Sequence, residues 1–412
     1  MTSSSFGARV HYWRTRRNLT RPEFAALMGR SVRWVEELEG GRRQADPQLS
    51  VMRLIALRLG ISLERLLADV IDTECVGDTE IDAVRRVLHR HDILTGACDD
   101  TAPLPVEQLR RSLSHARNGF QAGHFAQLGA AIPALLVDTT RATRHYRGDD
   151  RLTAYALLSL SLELAEAAAI KWGDPELALI AGHRAVTAAE RSEDPVIMAS
   201  AARHLGDAMT HHGQPADAAR FVLAAAERLQ NDLLAGGPDG LSVLGMLYLK
   251  AAMAAAAASE ADDRTPAAHA RQVPELLDQA DEHAHRLGAD SNRLWTAFGP
   301  TNVSCYRVAA HVQLSEGADA IAAAAGIPAD ALDSLPRERR AHMLADRALG
   351  ELQAGRRAEA VDTLLAAERL APEEVQCRPR TRTTIENLQL LGVGPAAEGR
   401  LRALAVRCGL PE

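Results

Sequence analysis

The sequence predicts an all-α protein: a small helical head, then a long solenoid of stacked helical hairpins. Three observations carry this. Aromatic residues make up 4% of the 412 residues and alanine is abundant, a composition that favours tightly packed helices over sheets. The stretch Leu19–Arg43 sets two short amphipathic helical patterns on either side of one glycine. From Val106 onward a unit of helix, glycine-containing turn and alanine-striped helix recurs every ~35–50 residues, near the period of helical repeats.

The head is expected to span residues 1–70 as five helices. Met1–Ser5 is polar and Phe6 opens an amphipathic helix, so no signal peptide is expected there. Thr20 can cap the next helix and Pro22 suits its first turn. Phe24, Ala25, Leu27 and Met28 give that helix an apolar side. Gly29 permits a sharp turn because it has no Cβ to clash at positive φ. Ser31 caps a further helix, with Val35 and Leu38 on one face and Trp34 beside them. Two helices joined this way form a helix-turn-helix, whose second helix can enter a DNA major groove.

Arg30 and Arg33 stand at the start of that second helix, the part that usually meets base edges. Ser31 and Glu37 join them; a glutamate can accept from a cytosine amino group. Arg16, Arg17, Arg21, Arg42 and Arg43 can meet phosphates. Glu36 and Glu37 repel phosphates, and Trp34 is expected between helices rather than on a base. Charge supports a nucleic-acid role confined to the head. Residues 1–70 hold 12 Arg and no Lys against 7 Asp plus Glu, about +5, so of the net charge of −7 the remainder carries about −12.

Residues 71–105 are expected to be a linker with a short helix at Ile81–Arg90, followed by the loop-like Gly96–Pro105. Residues 106–412 form the repeat region, with about six degenerate hairpins and terminal helices from Thr381 to Gly409. The clearest copies centre on Gly213 with Ala218 and Gly355 with Ala360. Gly123, Gly173, Gly245 and Gly317 mark others. The first helix of each hairpin should line an inner groove. Aligning the repeats there turns Arg203, Asp207, Thr210 and His211 inward, and likewise Ser304, Arg307 and His311. Trp295, Phe298 and Asn302 come just before. Arginines, an amide and aromatic walls would suit a peptide or small-molecule effector.

No catalytic or phosphate-binding motif stands out, so no enzyme and no cofactor are expected. His204, Asp207 and His211 share a helical face, yet no second helix supplies an obvious further ligand, so no metal is expected. The five cysteines, Cys75, Cys98, Cys305, Cys377 and Cys408, form no C-x-x-C pair, which fits reduced cytoplasmic thiols. Ala251–Ala258 is too short an apolar run to span a bilayer. Lysine occurs only at Lys171 and Lys250, and arginine carries the remaining positive charge. That bias is typical of a high-GC bacterium.

The head resembles the Cro/repressor, or xenobiotic-response-element, helix-turn-helix family over Phe6 to Leu67. The resemblance rests on Arg16-Arg17, Leu19-Thr20, Phe24-Ala25, Gly29, Ser31, Val35 and Leu38. Glu39-Gly40-Gly41-Arg42-Arg43 follows, and Leu49–Leu59 and Ile61–Leu67 match the family's fourth and fifth helices. With Leu294–Val303 and Arg337–Pro372, the whole chain resembles long actinobacterial regulators that join this head to a right-handed tetratricopeptide-like body. The resemblance implies a cytoplasmic transcriptional regulator that binds double-stranded DNA as a homodimer, with repeats that dimerise or sense a peptide or small molecule. The rival reading is a tetratricopeptide protein-interaction scaffold carrying a degenerate helix-turn-helix.

Overall fold

In the computed structural model the chain is all-α, with 21 α-helices and no strand among the described residues. These are residues 6–16, 19–40, 48–59, 63, 66, 78–91, 101–261 and 266–410. The chain divides into two units: Met1–Cys75 with Gly409–Glu412, and Val76–Cys408.

The first unit contains α1 (Phe6–Arg16), α2 (Arg21–Met28), α3 (Val32–Glu39) and α4 (Leu49–Leu59). Most of the expected fifth helix, Ile61–Leu67, lies outside the described residues. The start of α2 is a full capping box. The Thr20 amide donates to Glu23 Oε2 at 2.7 Å and the Glu23 amide donates back to Thr20 Oγ1. Gly29 ends α2 at φ 61°, left-handed backbone that a Cβ would strain. Two residues later Ser31 caps α3, its Oγ accepting from the Trp34 amide at 3.2 Å. Phe24, Met28, Trp34, Val35, Leu38, Ile55 and Leu59 form the core with Phe6 and Val10 of α1.

The second unit begins with α5 (Asp78–Leu88), which buries Ile81, Val84 and Leu88 in the same core as the following helices. Six hairpins follow among the described residues. They are α6 (Val106–Gln121) with α7 (Leu128–His145), α8 (Gly148–Trp172) with α9 (Pro175–Glu190), and α10 (Pro195–His211) with α11 (Pro215–Ala235). Next come α12 (Gly237–Ala261) with α13 (Pro266–Leu287), and α14 (Pro300–Gln313) with α15 (Gly317–Ala325). After the short α16 (Ala329–Asp333) comes α17 (Arg337–Gln353) with α18 (Arg357–Leu370). The short α19 (Pro372–Cys377) precedes a terminal pair, α20 (Pro379–Leu391) and α21 (Pro395–Arg407). Each hairpin stacks on the next, so helices that could bury only one stripe alone bury two.

Small residues set the spacing. Ala218 and Ala360, both fully buried, let second helices close on first helices. At Gly245, inside α12, an added Cβ would stand 1.9 Å from Phe298 Cζ, so the ring takes the place of a side chain. Helices α8 and α12 are long and apolar enough to cross a membrane, but each is largely buried inside this unit.

Candidate functional site

The first-unit surface is the start of α3. Arg30 is exposed and its guanidinium lies 5.9 Å from the Trp34 ring centroid. Trp34 itself is 8% exposed and packs between helices. Arg33 points outward, its side chain 86% exposed, with Nε donating to Glu37 Oε1 at 2.9 Å. Glu36 is exposed. Arg21 is not a free cation: it donates to Glu39 at 2.9 Å, in a cluster where Arg14 reaches the same carboxylate at 2.5 Å. Burial opposes ionisation of Glu39, but bonds from Arg14, Arg21 and His11 outweigh it and hold its pKa below the usual value. That cluster ties α1 and α2 to α3. The expected phosphate contacts Arg17, Arg42 and Arg43, and the side chain of Arg16, lie outside the described residues.

The second unit holds a cavity of about 850 Å³. Residues of α6, α8, α10, α12, α14, α17 and α20, the first helix of every hairpin, line it together with Trp295, Thr296 and Ala297. Of the sequence-predicted residues the structure brings Arg203, Asp207, Thr210, His211, Trp295 and Asn302 to this wall. Four do not reach it, among them Ser304, whose Oγ donates to the Pro300 carbonyl. Phe298 is fully buried in the core against α12. Arg307 faces α13, where it pairs with Asp278 at 2.9 Å and Asp281 at 3.6 Å. His311 bonds to Glu316 at 2.8 Å. Asn302, Tyr306, Ala309, Val312 and Gln313 are the α14 residues that line it, so the inward face lies nearly opposite the one expected through Ser304, Arg307 and His311.

Sequence reasoning missed most of the charged wall. Seven basic side chains line the cavity against four acidic ones. Both lysines of the chain are among them. That coincidence was the available signal: a chain that otherwise uses only arginine keeps two lysines, and both face one cavity. Lys250 donates to Asp207 at 2.7 Å. Burial opposes both charges, but each partner outweighs it, raising the Lys250 pKa and lowering that of Asp207. Lys171 sits among Glu338 at 2.5 Å, Glu374 at 2.8 Å and His342 Nδ1 at 3.1 Å. Its ammonium occupies the centre where those three groups could otherwise hold a metal ion. Arg339 donates to Asn302 Oδ1 at 2.6 Å and lies 4.6 Å over the Tyr306 ring.

Behind this surface Arg117 donates to the Leu160 carbonyl at 2.7 Å and to Glu163 at 3.2 Å, with Trp295 over its face at 5.4 Å. Burial lowers its pKa to about 10, against the pull of Glu163. His204 Nδ1 and Glu166 Oε2 share a hydrogen bond of 2.5 Å. Burial, with Asp207 adding to it, holds Glu166 well above the usual carboxylate range. Burial, with Arg203 and Arg117 beside it, holds His204 well below the usual imidazole value. Each partner is therefore driven towards its neutral form. Their bond removes His204 from the metal-ligand face shared in sequence with Asp207 and His211. Such an arrangement can bind and orient a charged guest.

No protein-family model matches the chain, and no curated protein matches it. Among solved structures, PlcR of Bacillus thuringiensis in complex with the peptide PapR7 and DNA is similar at 12% identity, over 69% of this chain and 99% of that one, with a TM-score of 0.25. ComR from Streptococcus suis is 13% identical over 90% of this chain and 94% of its own, with a TM-score of 0.27. ComR from S. thermophilus in complex with DNA and its signalling peptide ComS is 14% identical over 74% and 99%, with a TM-score of 0.23. At such values these likenesses carry no argument about what this chain binds.

Proposed function

We propose that the chain is a bacterial, cytoplasmic transcriptional regulator, not an enzyme. The head reads operator DNA through α3, and the repeat body binds an effector in its cavity and dimerises. One observation carries the reading: a glycine-turned, doubly capped helix pair presents Arg30 and Arg33 to solvent at the start of its second helix. Arg30 and Arg33 are the base or phosphate contacts in this reading, and Ser31 and Glu37 stand beside them. Arg16, Arg17, Arg42 and Arg43 add phosphate contacts, while Arg21 acts through Glu39. Arg203, Asp207, His211, Trp295 and Asn302 belong to the effector cavity.

A mobility shift on the DNA upstream of the chain's own gene tests this. A shifted band that resists bulk competitor DNA is expected. Replacing Arg33 by Ala should weaken it by about 1–3 kcal/mol if the contact is a bidentate base contact. A band that never outcompetes bulk DNA would leave the scaffold reading, in which the exposed Glu36 and the Glu37 carboxylate make the head a protein-binding module.

A further inference from the structure

Within the cavity one charge stands apart. Arg203, on α10, is 5% exposed and lines the cavity. It has no hydrogen bond and no ion pair to any described residue, and its Nε is buried without a partner. Lys250 is matched with Asp207, Lys171 with Glu338 and Glu374, and Arg378 with Asp346 at 3.3 Å. Arg339 and Arg380 have no ion pair among the described residues either, but both are only partly buried, and Arg339 is held by Asn302 and the Tyr306 ring. Arg117, 4% exposed, shares Glu163 with Ser200, and its Nε is also unpartnered. Glu166 is committed to His204. Two buried guanidiniums thus face a single available carboxylate, Glu163. A buried charge without a counter-charge costs several kcal/mol, far more than a folded chain keeps without use.

We propose that the cavity takes a small organic acid, its carboxylate held by Arg203 beside Arg117 and its apolar body laid against Trp295 and Met246. This rests on the reading of the cavity as an effector site and names the effector's chemistry. A guanidinium fork matches a carboxylate with two parallel bonds. The local excess is one positive charge, which a monoanion neutralises and a phosphate dianion overshoots. The cavity's ~850 Å³ lies in the range of small-molecule sites. Trp295 already covers Arg117, so the acid's body has an aromatic surface next to its head group.

The test is thermal melting of the full chain with 3-phenylpropionate, its uncharged counterpart 3-phenylpropan-1-ol, inorganic phosphate, and the peptide Ala-Ala-Ala-Phe, each at millimolar concentration. The acid should raise the melting temperature by at least ~2 °C and the alcohol and phosphate should not. Arg203→Met should melt no lower than wild type, because it removes an unpaired buried charge. It should also weaken the acid at least ~10-fold. Arg203→Lys keeps the charge and should retain part of the shift. Equal shifts from acid and alcohol, a shift from phosphate alone, no shift from the acid, or a shift that survives in Arg203→Met each contradict the proposal. So does a shift from the peptide without one from the free acid, which assigns the carboxylate to a peptide end. If Arg203→Met fails to fold, Arg203 is structural and the proposal falls. No DNA enters this measurement, so failure of the DNA-binding reading appears separately, in the mobility shift.

Discussion

At the residue scale, charge placement decides the sharpest expectations. Glu37 holds Arg33 by 2.9 Å at the surface proposed for DNA, which offsets part of that arginine's attraction for phosphate. Glu37→Gln should therefore tighten non-specific DNA binding about three-fold in an anisotropy titration; weaker binding would make Glu37 a base-reading acceptor instead. In the body, Lys171 holds the pKa values of Glu338 and Glu374 below the usual range although burial works against it. Groups depressed in the folded state stabilise it above their unfolded pKa of about 4.3, and that stability is lost as pH falls below it. Melting of the full chain should show this loss. In Lys171→Met the two carboxylates stay buried without their ammonium, costing about 3–5 kcal/mol at neutral pH. Between neutrality and pH ~5, where the wild-type pair contributes no slope, the variant should instead gain stability as pH falls, because protonation relieves the burial. Unchanged melting would show that His342 alone balances the pair.

At the element scale, close approaches and turns set the limits. Gly29→Ala forces a Cβ into left-handed backbone at the helix-turn-helix, and should cost the head roughly 1–2 kcal/mol in a chemical-denaturation curve. Gly245→Ala should cost more, about 1–3 kcal/mol in the body, since the ring of Phe298 cannot retreat from a packed core. Arg307→Ala and His311→Ala should leave any effector response unchanged and shift stability by under ~1 kcal/mol, because both make partly exposed ion pairs outside the cavity. A lost response would return α14 to the orientation expected from sequence. Much of this architecture was legible: caps, glycine turns and alanine stripes are local signals, and they located α2, α3 and the hairpins. The inward face of α10 was legible too, since the turn at Gly213 and the small Ala218 after it fix the register of that hairpin. The face of α14 was not. Its approach runs through residues 291–299, where Leu294, Trp295 and Ala297 adopt left-handed backbone, and no periodicity foretells how such a segment turns the next helix. Arg117, Lys171 and Arg339 were missed because their meeting depends on helices far apart in sequence.

At the scale of the whole molecule, the account joins a basic head to a body with a charged cavity, and predicts that the assembly works as a pair. One small head offers few base contacts, and two-fold proteins read paired half-sites. Sedimentation of the full chain should give a dimer near twice the 44.4 kDa of one chain; a monomer at micromolar concentration would remove the paired-site reading. The most direct measurement is fluorescence anisotropy of the full chain on its own upstream DNA at several salt concentrations, with wild type beside the double variant Arg30→Ala, Arg33→Ala. The account predicts that wild-type affinity falls steeply with salt and that the double variant loses at least ~10-fold in affinity with a shallower slope, while its body melts as wild type does. Equal affinity and slope in both proteins would contradict it.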